Sequence, residues 1–344
     1  MNIDLYTTCP SVYQDVDPQA YLATVRDVCR WSDAAGCRGM LVYTENNLLD
    51  AWLVSQVVIQ NSAQLSPLVA VQPVYTHPYT AAKMVSTLSY LYGRRVNLNM
   101  VAGGFKNDLA ALGDSTPHDR RYDRLVEYTT IIKQLLRGGS PVTFHGEFYN
   151  MEKCSLKPAL PKELFPIITI SGSSPAGMAA ARQLDAIAIR YPEPPERCAA
   201  EAGKLERSGI RVGIIARESE DEAWDIAYQR FPPDRGGQII HKLAMSTSDS
   251  YWHNQLSTLG KLEHQPARRT YWLAPFENYE SFAPFLVGSY VQVAEQLSRY
   301  ISAGYSTFIT EVPAAESDLQ HICRAFECAR RSMTGDPANT LVLA

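Results

Sequence analysis

No pair of cysteines stands at C-x-x-C spacing, although the chain has seven: Cys9, Cys29, Cys37, Cys154, Cys198, Cys323 and Cys328. An odd count without that spacing argues against a cysteine zinc site and for reduced thiols rather than a disulfide framework. The seven histidines form no H-x-H or H-x-x-x-H pair, so a local metal motif is missing too. No uncharged apolar run is long enough to span a bilayer. The opening MNIDLYTTCP lacks the basic and apolar segments of a secretory leader, so a cytoplasmic protein without a membrane partner is expected. No basic stretch is interleaved with aromatics and the formal net charge is −4, which speaks against nucleic acid. No G-x-G-x-x-G follows a strand, so no built-in nicotinamide-nucleotide site is expected.

What is present is a long alternation of strand and helix. The 344 residues are 46% hydrophobic and 20% charged, enough for a large core. Short β-rich runs occur at 3–8, 39–44, 68–73, 96–104, 167–174, 185–192, 210–217 and 306–313. Helical patterns at 21–36, 51–63, 78–92 and 119–136 lie between them, and 141–152 alternates like a hairpin turning at His145-Gly146-Glu147. Eight such units predict an α/β fold, a (β/α)8 TIM barrel, as a single domain over 1–344. The largest insertion falls between strands seven and eight. Its polar middle, about 233–270, shows little periodicity and reads as a long lid or surface loop.

In such a barrel the C-terminal strand ends converge on one site. Those ends place Cys9, Glu45, Asn99, Arg190, Arg211 and the run SGSSPAGMAAA (171–181) on one face. That run has two readings. Ser173 or Ser174 caps a helix with Pro175 in its first turn, or the small hydroxyl residues cradle an anion at the helix start. For Arg190 and Arg211 the alternatives are a carboxylate-binding role and a salt bridge to a loop acid. Cys9 is either a substrate-side thiol or a packed core thiol, and His77 reads as loop-fixing.

Several stretches together resemble the bacterial-luciferase-like flavin monooxygenases, in particular the alkanesulfonate monooxygenase branch. They are DAWLVSQVVI (50–59), LVAVQPVYTHPYTAAKMVSTLSYLYGRRVNLNMVAGG (68–104), HDRRYDRLVEYTTIIKQLLRG (118–138), VTFHGEFY (142–149), ISGSSPAGMAAA (170–181), YPEPPE (191–196), ARESEDEAW (216–224) and the segment 286–313. The resemblance implies the same barrel with FMN, as FMNH2, at its C-terminal face. O2 would be the co-substrate, reacting through a flavin C4a-(hydro)peroxide. A separate NAD(P)H:flavin reductase would supply the reduced flavin, and a homodimer or homotetramer is usual. Carried over, the H-x-x-x-Y pattern falls on His118 and Tyr122 and the phosphate-holding serine on Ser173 or Ser174, next to Gly172. Glu45, Asn99 and Ala102 would stand near the flavin, Ala102 replacing the family's threonine.

The departures are informative. The branch's cysteine before Asp-Ala-Trp is Leu48 here, and its Arg-x-His reads Arg211, Val212, Gly213. Its tyrosine near strand eight falls at Val312, and its lid arginine falls near Tyr279. The resemblance therefore implies a two-component monooxygenase whose small organic substrate is not an alkanesulfonate, in keeping with specialised metabolism. Arg190, Arg211 and Cys9 are the candidate catalytic residues. Two alternatives remain: an F420-dependent hydride-transfer oxidoreductase, and a flavin-binding protein without turnover.

Overall fold

Each short apolar run of the sequence meets its neighbour side by side, and the row closes on itself. The computed structural model describes residues 3–12, 16–198, 208–262 and 268–334. Its strands, in chain order, are β1 (Asp4–Thr8), β2 (Gly39–Val42), β3 (Ser66–Val71), β4 (Asn97–Val101), β5 (Val142–His145), β6 (Asn150–Cys154), β7 (Ile168–Ser171) and β8 (Ile187–Arg190). They continue as β9 (Ser208–Arg211), β10 (Gly213–Arg217), β11 (Tyr271–Trp272), β12 (Phe285–Ser289) and β13 (Tyr305–Ile309). The closed barrel runs β1-β13-β9-β8-β7-β4-β3-β2, and every neighbouring pair in it is parallel. The expected (β/α)8 TIM barrel is therefore the observed fold.

Alternation along the strands divides the core in two. Tyr6, Leu41, Leu68, Ile187, Ile189 and Ile309 point inward and fill the barrel. The opposite strand faces pack under the helices, where Val25, Val28, Leu98, Leu125 and Ile132 are among the buried residues. The helix boundaries follow from local chemistry. His77 accepts the Tyr79 N–H at 3.2 Å and Pro78 begins the helix Pro78–Tyr92. Gly93 ends that helix with φ +62°, a conformation a side chain would resist. Ser289 and Gln292 form a reciprocal capping box at the start of Tyr290–Ser302. The hairpin predicted at 141–152 is β5 and β6, antiparallel, with the Gly146 N–H bonded to the Tyr149 carbonyl at 2.9 Å.

Two expectations need correction. The run 210–217 is not one strand. Val212 N–H still bonds to Ile309 of the barrel at 3.0 Å, but Gly213 N–H bonds to Pro284 at 2.9 Å. There the chain changes partners and leaves as β10, which joins a separate sheet of order β10-β12-β11. Only glycine permits this, because a Cβ at 213 would strike the Phe285 ring. The polar middle of the insertion is also not a loop. Most of it forms the helices Arg235–Thr247 and Tyr251–Leu262, while 263–267 fall outside the described residues.

That insertion is tied down over the C-terminal end of β4. Asp249 N–H bonds to the Gly104 carbonyl at 3.1 Å, and Phe105 bridges to Ser248. The Asp249 carboxylate meets Arg121 at 2.9 Å and Lys106 at 2.8 Å. Arg121, only 1% exposed, also donates to the Gly103 carbonyl at 3.0 Å. Burial by itself would raise the Asp249 carboxyl, but the two cations outweigh it and hold it below its ordinary value. No helix among the described residues is long and apolar enough to cross a membrane.

Candidate active site

The C-terminal face carries two adjoining features: a deep cleft and, beside it, a helix start surrounded by hydroxyls. The cleft is lined by strand ends on one side, including Glu45, Asn99, Ser171 and Arg211, and by Ser250, Trp252 and His253 of the insertion on the other. Asn99 is buried in the middle of β4. Its Oδ1 accepts from the hydroxyls of Thr169 at 2.8 Å and Ser171 at 3.0 Å. The amide oxygen is thereby committed, and the N–H groups are what this side chain has to offer the cleft. At the mouth, burial first and then Asp108 raise the Glu45 carboxyl. Burial raises Asp108 as well.

The hydroxyl-rich feature is where SGSSPAGMAAA leaves the barrel. Ser174 caps the helix Pro175–Gln183, accepting the Gly177 N–H at 3.1 Å. Its hydroxyl also pairs with that of Tyr122, whose phenol burial raises. Tyr122 lies flush on the backbone: a Cβ at Gly172 would collide with its hydroxyl. His118 meets the Tyr122 ring edge-on at 5.3 Å and is fixed by Asp119 at 2.8 Å. Ser173 differs from its neighbour, because its Oγ is buried with no partner among the described residues. A buried hydroxyl without a partner costs free energy unless something else satisfies it.

The cap reading of the run holds for Ser174. The anion reading would fall on Ser173 and the free N–H groups of the first turn. His118, Tyr122, Gly172, Ser173 and Ser174 come together here, as Glu45, Asn99 and Arg211 do in the cleft.

Three expected site residues stand elsewhere. Arg190 points away from the barrel interior, since Ile187 and Ile189 take the inward positions of β8. Its guanidinium reaches the Tyr305 hydroxyl at 3.4 Å. Cys9 is 2% exposed, packs in the outer core and is absent from the cleft wall, and burial pushes its thiol far above the ordinary range. Ala102, 5% exposed, is likewise a core residue that does not line the cleft.

Arg211 lies in the cleft, bridged to Glu311 at 2.7 Å and to the Tyr191 hydroxyl at 3.1 Å. The loop-acid reading thus describes its charge. His253 carries no sequence signal that marks it as a site residue. It is 5% exposed and stacked with Trp252 and Phe282, each at 5.5 Å. Burial, then the nearby His241 and Arg211, lower its pKa from 6.5 to about 3, so it is neutral at physiological pH.

A closed parallel barrel with a cleft at the C-terminal ends of its strands is the arrangement of a barrel enzyme. The chain belongs to the luciferase-like monooxygenase family, whose model matches residues 5–307. It is similar to the 4-(gamma-L-glutamylamino)butanoyl-[BtrI acyl-carrier protein] monooxygenase BtrO of Niallia circulans. That relative is 34% identical over 332 residues, covering 94% of this chain and 96% of BtrO. Among solved structures it is similar to the EDTA monooxygenase EmoA from Chelativorans sp. BNC1, with TM-score 0.76, 12% identity and 95% and 94% of the two chains covered. The riboflavin lyase RcaE, solved with modified FMN and riboflavin, gives TM-score 0.76 and 15% identity over 98% and 96% of the chains. At such identities the solved structures speak for the fold alone. The chain is an enzyme of the monooxygenase class.

Proposed function

We propose that the enzyme is the oxygenase half of a two-component system, using reduced FMN and O2 on an organic substrate other than an alkanesulfonate. The observation that carries the cofactor is the Ser173 hydroxyl, buried and unpartnered at a helix start beside the family's H-x-x-x-Y pair. A phosphate satisfies that hydroxyl and accepts from the free N–H groups next to it. His118 and Tyr122 would complete the cradle, with Ser171 and the Asn99 amide leading from it into the cleft. Reduced FMN, when bound, supplies the activation of O2. The chain's own part is position and dryness: Phe105, Trp252 and Phe282 wall the cleft with apolar rings, and the Arg121–Asp249 pair holds the insertion against it.

The 34% identity to BtrO supports an acyl compound as the substrate class. A separate NAD(P)H:flavin reductase is part of the same reading. So is a homo-oligomer, for which the exposed Leu53 and Tyr90 on neighbouring outer helices offer apolar surface. The six cysteines found free among the described residues fit a cytoplasmic setting.

Anaerobic titration with FMNH2, FMN and F420, followed by rapid mixing with oxygenated buffer, tests the reading. Preferred binding of FMNH2 and a transient absorbance change on meeting O2 are expected. Tight F420 binding without an oxygen reaction would replace it with hydride transfer, and flavin binding without oxygen chemistry would replace it with a binding protein.

A further inference from the structure

The cleft is lined by three side chains whose polar groups no described residue satisfies. Tyr43 Oη, Arg211 Nε and both ring nitrogens of His253 are buried without a hydrogen-bond partner. All three residues line the same cleft. They are also near one another: the Arg211 guanidinium lies 4.6 Å from the Tyr43 ring and 5.8 Å from the Tyr191 ring, which is 6.0 Å from His253. Three orphan groups in one corner are unlike the isolated exceptions a folded protein tolerates.

Their chemistry is specific. The Trp252 and Phe282 rings lie nearly parallel to the His253 ring, at interplanar angles of 19° and 24° and centroid distances of 5.5 Å. The ring edge carries the two nitrogens without a partner among the described residues. A neutral imidazole has one donor and one acceptor there. Arg211 Nε is a donor only, and the tyrosine hydroxyl donates or accepts. The corner therefore asks for a group with acceptor lone pairs and one N–H. It does not ask for charge. Arg211 is already neutralised by Glu311 at 2.7 Å, and Glu45 and Asp108 line the same cleft. An anion brought here would be desolvated with no free cation to meet it.

We propose that His253, Tyr43 and Arg211 Nε form a substrate subsite for a neutral amide, with the carbonyl oxygen on Tyr43 and Arg211 and the N–H on the imidazole. This rests on the monooxygenase reading and names a group that its substrate carries. The rings of Phe105, Trp252 and Phe282 around the corner suit an apolar chain attached to that amide.

Hexanamide, hexanoate and hexane-1-sulfonate, matched in chain length, are the probes. Each is titrated into the full-length protein while the His253 ring nitrogens are followed by 15N NMR, assigned with His253→Phe. Hexanamide is expected to saturate and shift the His253 nitrogens. The two anions should bind more weakly by about tenfold or more, as should hexanamide to His253→Phe and to Tyr43→Phe. The Phe variants keep the ring packing, and circular dichroism checks that they fold. If His253→Phe does not fold, Tyr43→Phe decides alone. Equal or tighter binding of either anion overturns the proposal, as does unchanged amide affinity in a folded variant. No response to hexanamide at millimolar concentration means the corner holds ordered water only, and also overturns it. Reduced FMN is titrated separately into the wild-type protein, so failure of the flavin reading appears there and failure of the amide subsite appears here.

Discussion

Replacing Ser173 by alanine should move stability and cofactor affinity in opposite directions. In the free protein the Ser173 Oγ is buried and pairs with no described residue. Removing it deletes an unsatisfied polar atom and no contact, so stability should be unchanged or rise by up to about 1 kcal/mol. With FMN bound, the same hydroxyl would donate to a charged phosphate. Losing a hydrogen bond to a charged group costs about 1.5–3 kcal/mol, which weakens binding roughly 10- to 150-fold. Ser174→Ala makes the contrast. Ser174 caps the helix Pro175–Gln183 by accepting from Gly177 at 3.1 Å, so its loss should cost about 1 kcal/mol of stability. Denaturant melts of the flavin-free protein and fluorescence titration with FMN measure both quantities on both variants. A Ser173→Ala protein that is destabilised yet binds FMN as wild type does would refute the argument, because the hydroxyl would then be structural and not phosphate-facing.

Other consequences follow from the same contacts. His118→Ala should lower FMN affinity several-fold and change stability by less than about 1 kcal/mol, since the side chain is 28% exposed and, among the described residues, hydrogen-bonds only its neighbour Asp119; a large drop in Tm with normal affinity would make it structural. Asp249→Asn should loosen the insertion by about 1–3 kcal/mol, discounted for the partial exposure of the pair, and raise hydrogen exchange over 235–262. Because the Asp249 carboxyl lies below its ordinary 3.8, its contribution is complete above that value and is lost as pH falls through the lower folded value. His253 acts in the same direction, over a higher pH window. Its folded pKa is about 3 against 6.5, so the unfolded chain binds the proton first and stability falls as pH drops below 6.5. Between pH 7 and about pH 5 the wild type should lose about 2 kcal/mol more than His253→Phe, and equal acid sensitivity would mean the ring is not held neutral.

Much of the barrel was legible because its signals are local. His77-Pro78 and Gly93 bound one helix, and Gly146 marks the hairpin turn. The break in 210–217 was not, because periodicity records which residues are apolar and not which strand they pair with; Gly213 was its one trace. The strand-end residues were harder still. Arg190 was read as site-facing although Ile187 and Ile189, two apart, already claim the interior and leave position 190 outside. The H-x-x-x-Y spacing made the meeting of His118 and Tyr122 legible. Which of the two serines caps the helix depends on a φ/ψ choice at the helix start that both residues can adopt. His253 was invisible, since a lone histidine in a polar insertion carries no pattern. Its meaning comes from Trp252 beside it and Phe282 far along the chain.

The same turn of one helix links the two parts of the site. His118 and Tyr122, four residues apart in His118–Arg137, lie beside the helix start proposed for the phosphate, while Arg121 between them reaches Gly103 and Asp249. Arg121 is 1% exposed, so it has little freedom to yield without being left buried and unpaired. A displacement of this turn by a bound phosphate would therefore be felt at Asp249, and so at Ser250, Trp252 and His253, which follow directly in sequence. The residues that would hold the cofactor and those that would hold the substrate meet at that ion pair. Asp249→Asn should accordingly weaken FMN binding several-fold although Asp249 is not part of the phosphate cradle, and unchanged affinity in that variant would show the two halves of the site to be independent.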